Sequence, residues 1–451
     1  MPTATKIKDK HLSSGPFSKG AVEKIITQNN EPDWLAHKRR ISWSVFEDTP
    51  MPTTSDEAWR RTGLKRIKWN QISLDTPAAV AKAASLQDLP QNLQDLLGAD
   101  REAAGRLLFI NGQLKYSEFS DALAQQGVIF TDLQSAARQR ADLLEAQLMG
   151  EAVPPSDSKF AALNAALWRN GVFLYLPKNV IVERPFQAAF LLDGEGAASI
   201  HRALIIAESG AQADYIEETA SRDSGQIGLN VGVVEIIARD NAQVRYVDVQ
   251  QLGRKVYNFN TKRALAHNNS RVLWDLGEFG SGLTKTFIDT QLIGNGADTQ
   301  CNGVYFLNGT QHIDIDTMMR HIGYATTGDL LLHGALKDKA RSVFLGMIKI
   351  DPSGQKTDSY LKNQNMLLDK TTRADSIPAL EIDANDVRAS HAATISQVED
   401  EYVFYLQSRG IPRDTAVKMI VEGFFSTVFH RMGNERVQER LMTTVQRKMA
   451  G

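Results

Sequence analysis

The stretches "HNNSRVLWDLG" (267–277) and "GNGADTQCNGV" (294–304) share one form: a polar turn, a small residue, then alternating polar and apolar positions. The form recurs in "ESGAQADYIEE" (208–218), "RDNAQVRYVDV" (239–249), "KDKARSVFLGM" (337–347) and "LDKTTRADSI" (368–377). The small residues at 211, 242, 270 and 297 stand 31, 28 and 27 residues apart, and those at 340 and 372 stand 32 apart. Alternation marks strands with two unlike faces, and a repeat of this length points to a stacked β architecture. A propeller needs about 40 residues per blade and blade-specific signatures, which are missing. A sandwich needs hairpins, and the two-residue Asn-Gly or Asp-Gly turns that make them are sparse. The favoured reading is a parallel β-helix, with each repeat covering about two rungs. A large antiparallel sandwich remains the alternative on pattern alone.

Outward from this core the period changes. In "TSDEAWRRTGL", Thr54 or Ser55 is placed to cap a helix with acids in its first turn. "DLQSAARQRADLLEAQLMG" and "SKFAALNAALWRNG" read as helices, and "VFLYLPKNV" switches to period two. After residue 395, "VEDEYVFYLQSRG" stops at Gly410, and "IPRDTAVKMIVEGFFSTVFHRMG" opens near Pro412. Val417, Ile420, Phe424 and Val428 make an apolar stripe, widened by Val421, Phe425 and Phe429. That stripe suits either docking onto the N-terminal helices or a partner-binding face. The expected organisation is an N-terminal helical domain over 1–180, a parallel β-helix core over 181–394 and a C-terminal helical domain over 395–451.

Composition bounds the function. The chain has 451 residues, 42% hydrophobic and 23% charged, enough to bury a full core. A net charge of −2 gives no global case for nucleic acid or an anionic membrane. No apolar run approaches the roughly 20 residues of a membrane span. The N-terminus "MPTATKIKDKHLSSGPF" has no apolar signal-peptide region, so a cytoplasmic location is expected. The single cysteine, Cys301, excludes an intrachain disulfide framework and a Cys-rich metal site built from this chain alone. It reads as a buried small hydrophobe.

Catalytic signatures are sparse. There is no P-loop, no nucleophile elbow and no HExxH. "GSGLTK" (280–285) reads as a β-turn. "HIDIDTMMRH" (312–321) brings His312, Asp314, Asp316 and His321 close in sequence, and 312, 314 and 316 share one strand face. This leaves two readings: a solvated sheet face, or a β-helix carbohydrate-active enzyme with Asp314 and Asp316 as acid/base or Ca²⁺ ligands.

The segment "LKDKARSVFLGMIKIDPSGQKTDSYLKNQNMLLDKTTRADSIPALEIDANDVRASHAATISQVEDEYVFYLQSRGIP" (336–412) resembles the SufB/SufD family of iron–sulfur cluster assembly scaffolds, as do "EPDWLAHKRR" (31–40), "DEAWRRTGL" (56–64) and "LNAALWRNGVFLYLPKNV" (163–180). The resemblance spans nearly the whole chain. It is nearer the SufD branch: Asn363 stands where the SufB branch carries a cysteine, and Ala392 where it carries a glutamate. Ala389 departs from the SufD pattern, which often has cysteine there. The resemblance implies a right-handed parallel β-helix between helical domains and a scaffold subunit rather than an enzyme. It implies a heterodimer with a SufB-like subunit, and a SufC-like ATPase that carries out the ATP hydrolysis. The alternative within the same family is a homodimeric scaffold, formed by the chain in isolation. No cofactor would be held stably by this chain alone; a transient iron–sulfur cluster would be shared with the partner. His391 matches the family histidine at that interface, as a cluster-assembly residue and candidate iron ligand, since neutral imidazole ligates iron. The helices carrying Val417, Ile420, Phe424 and Phe425 would bind the ATPase.

Overall fold

The computed structural model describes residues 16–98, 102–222, 225–433 and 435–450. From Asn170–Leu176 onward, successive strands alternate between two sheets, of ten and nine strands, so the chain winds as a parallel β-solenoid of about 8 turns. One sheet ends at its free edge with Arg388–Gln397, paired to Asp358–Leu367; the other ends with Arg373–Ile382, paired to Arg341–Ile350.

The sequence repeat is one full turn of two strands, not two rungs. Gln243, Arg271, Asp298, Thr327, Asp358 and Arg388 are successive register partners, one per turn. The small residues at 211, 242, 270 and 297 are one corner of this coil, all buried; 340 and 372 lie on the corner leading into the other sheet. Each residue before a corner of the first series turns the chain through the left-handed region: φ is 75° at Gly210, 59° at Asn241, 52° at Asn269 and 66° at Gly296. Glycine and asparagine tolerate that conformation, which is why the repeat begins with polar, small residues.

In-register stacking lines up inward-facing side chains into columns. One runs Phe186, Tyr215, Tyr246, Trp274, Cys301, Leu330, Leu361 and His391. The first seven are buried, with rings 5.7 Å apart at Tyr215–Tyr246 and 5.3 Å at Tyr246–Trp274.

The N-terminal region contributes more strand than its pattern suggests. Gly105–Ile110 adds in parallel to Phe186–Leu192, Gln113–Phe119 closes an antiparallel hairpin on it, and Asn170–Leu176 extends the other sheet. "GRLLFI" is wholly buried, and a continuous apolar run of that length suits a two-sided buried strand. The helix expected at "TSDEAWRRTGL" is a single 3₁₀ turn, Glu57–Trp59. Its Trp59 packs flat on Phe160, ring centroids 5.5 Å apart, and near Phe259 and Phe287, so tertiary burial of the indole overrides local propensity. Helices Lys19–Asn29, Asp33–Asp48 and Lys159–Leu167, the last capped by Ser158, cover the outer face of the nine-stranded sheet. Helices Arg413–Phe429 and Glu435–Ala450 lie on the outer face of the other.

Candidate partner interface at the open end

His391 is the eighth member of the inward column, and the only one without a neighbouring turn on its far side. It sits inside the strand Arg388–Gln397, nine residues before the helix Asp400–Gln407, rather than at a strand-to-helix junction. The ring is exposed, and among the described residues no side chain hydrogen-bonds to it. The alternation of the strand puts Ala389, Ala393 and Ile395 on the same face; Ile395 is 45% exposed. Across the coil, Ser376, Leu380 and Ile382 continue the inward positions Phe344, Ile348 and Ile350, and Leu380 and Ile382 are exposed. An apolar lumen face is thus open to solvent at one end, beside two free strand edges. Free edges offer unpaired N–H and C=O groups to another chain.

The stripe on Arg413–Phe429 is placed differently from a partner-binding face. Phe425 is fully buried and Val417 and Phe424 partly so, against Val247, Val249, Val304, Phe306 and Leu331 of the chain's own sheet. Phe424 stacks on His333 at 4.4 Å, and its carbonyl lies 2.9 Å from that ring's Nδ1. Phe425 therefore offers no surface to a partner, and Ile420 is half-buried beside it. The docking is onto the solenoid rather than onto the N-terminal helices. The exposed apolar groups of this region are Tyr402, Tyr405, Met419 and Phe404, the last 72% exposed.

"HIDIDTMMRH" divides between the two faces. His321 is inside, bonded to Thr326 and Ser359. His312, Asp314 and Asp316 do share the outer face, but Lys285 bridges both carboxylates, at 2.8 Å to Asp314 and 2.7 Å to Asp316. Thr62 donates to Asp314 and lies 2.8 Å from His312 Nε2. Burial pushes His312 down to about 4 and, with the Asp314 charge, raises Asp316 to about 7. This is an ion-pair network under the N-terminal segment, in which Lys285 already pairs both carboxylates and Asp314 is buried. Among the described residues no group of three or more His, Cys, Asp or Glu is placed to hold a metal ion. Cys301 is buried in the lumen, its thiol pushed up to about 12 by burial.

The sequence reading missed a buried polar belt inside the solenoid. Lys262 pairs with Asp248, Tyr215 donates to Glu217 at 3.0 Å, and His201 Nε2 lies 3.5 Å from Glu217. Burial, then the Asp248 charge, raises Glu278 to about 8. The signal was present as charged residues at inward positions one repeat apart, such as Glu217 and Asp248, but reading it requires the register.

Comparison with known proteins places this architecture. A model described as SUF system FeS cluster assembly, SufBD core domain, matches residues 190–424, and one described as SufBD protein N-terminal region matches 21–188. The chain is similar to the iron–sulfur cluster assembly protein SufD of Bacillus subtilis (strain 168), 32% identical over 95% of this chain and 97% of that protein. It is also similar to an iron–sulfur cluster assembly SufBD family protein of Staphylococcus epidermidis (strain ATCC 12228), 30% identical over 92% of this chain and 90% of that one. A third relative, from Staphylococcus aureus (strain MRSA252), is 30% identical over 90% of this chain and 88% of its own length.

Proposed function

This chain belongs to the SufBD family of iron–sulfur cluster assembly proteins, and from that membership we propose that it is the SufD-like subunit of a cytoplasmic complex with a SufB-like subunit and a SufC-like ATPase. The observation that carries this reading is the unfinished last turn. A partner with a matching open end would supply the next layer, burying Leu380, Ile382 and Ile395 and pairing both free edges. His391 would then lie at the seam. Its imidazole is a borderline ligand suited to iron, and the small neighbours Ala389 and Ala393 leave room for a nascent cluster as cargo shared with the partner. The chain is a scaffold and holds no cluster by itself. In isolation the same end would pair with a second copy.

The ATPase would engage Tyr402, Phe404, Tyr405 and Met419, because the stripe behind them is occupied by the chain's own sheet. ATP hydrolysis belongs to that partner; the purified chain is expected to have none.

The test is co-expression of this chain, wild type and His391→Ala, with SufB-like and SufC-like subunits. Complex mass is read by light scattering, and bound iron and sulfide are assayed. The expected result is that the His391→Ala complex assembles at normal mass with little cluster. A complex that loads normally removes His391 from the chemistry. A wild-type chain that captures neither partner overturns the scaffold reading.

A further inference from the structure

A cleft of about 420 Å³ lies where the last turns of helix Glu435–Ala450 meet the ends of four solenoid strands, away from the edge strand Arg388–Gln397. Its lining includes Arg254, Arg447, Lys448, Asn308, Gln311 and Phe279, and no aspartate or glutamate. Arg447 bonds only neutral groups, Gln251 Oε1 and Thr444 Oγ1, each at 3.2 Å. Lys448 donates to the carbonyls of Phe279 and Phe306 and to Gln311 Oε1, the last two at 2.7 and 2.8 Å. Arg254 comes from the solenoid side, and among the described residues it pairs with no side chain. The negative end of a helix dipole accounts for cations in a last turn. It does not account for Arg254, which faces them from another element and repels them. Burial, then the Arg254 charge, lowers Lys448 to about 7. Such an arrangement costs stability unless an anion joins it.

We propose that this cleft binds a small phosphate-type oxyanion, as hydrogen phosphate or a phosphomonoester, through hydrogen bonds from Arg254 and Arg447, with the Lys448 charge beside them. Guanidinium groups match the oxygens of phosphate with paired hydrogen bonds. Such a ligand would tie the last helix to the solenoid it packs on. The inference is independent of the proposed partners.

The test is calorimetric titration of the full-length chain with inorganic phosphate and, separately, glycerol 3-phosphate, at ionic strength matched with sodium chloride. The expected result is saturable binding of at least one. Binding of phosphate would identify the free anion as the source, and binding of the ester alone would identify an organic phosphate. Arg254→Gln removes an exposed side chain without a partner, so the fold should stand, and it should weaken binding about tenfold. An Arg373→Gln control at the opposite end should bind as wild type. No saturable binding of either probe, or Arg254→Gln binding as tightly as wild type, overturns the proposal.

Discussion

His391 occupies a position that every earlier turn fills with a core side chain, from Phe186 to Leu361. An imidazole at the end of an apolar column is costly to bury without a partner for its nitrogens, which favours a ligand or a second chain at that point. His391→Leu would extend the column and should preserve pairing with the SufB-like subunit while abolishing cluster loading, measured as iron per complex. Glu278 sets a second expectation. Burial and the Asp248 charge raise its carboxyl to about 8, above an unfolded value near ~4.3. Between those values the native state holds more protons than the unfolded chain, so this contribution is full below the lower value and is lost as pH rises through the upper one. The urea midpoint of the wild type should fall between about pH 5 and pH 8, and Glu278→Gln should flatten that fall. A slope unchanged by the substitution would assign it to other groups. The sequence already singled out His391 through its resemblance to a family motif. Its place in the column, and the belt around Glu278, were hidden because both depend on which residues stack across turns about 30 apart.

At the scale of elements, helix periodicity located the C-terminal helices and said little about what their stripe touches. A stripe containing Val421, Phe425 and Val428 is equally suited to a partner and to the chain's own sheet; the valines and Phe306 facing it from the solenoid decided the matter. Phe425→Ala should therefore cost about 3–5 kcal/mol of stability, as for other buried phenylalanines, read by urea unfolding. Phe404→Glu with Tyr405→Glu should leave unfolding nearly unchanged and abolish capture of the SufC-like ATPase in a pull-down. Retained capture would move that contact elsewhere. The strand pattern was similarly legible in kind but not in count. Alternation and turn chemistry identified the β-helix, yet a 27- to 32-residue period does not say how many strands it holds until the corner residues are assigned to two sheets. In the N-terminal stretch, "GRLLFI" lacks alternation because both its faces are covered, so its pattern alone did not mark it as a strand.

At the scale of the whole molecule, the open end should govern assembly. Ala393→Arg places a long cation on the exposed inward face of the last turn; the chain should fold normally and fail to form the heterodimer, measured by light scattering. Unimpaired pairing would mean that the subunits meet through another surface.

A coil built one turn per repeat is nearly one-dimensional: each turn leans only on the turns before and after it. The turn carrying Arg373–Ile382 and Arg388–Gln397 has support on one side, so it is where the coil should fray, with amide exchange slowing turn by turn toward the N-terminal strands. A docked subunit becomes the missing support, and order should then spread backward from the seam. The surface best placed to recruit a partner is thus also the softest part of the coil, and arrival of that partner is itself a local folding event.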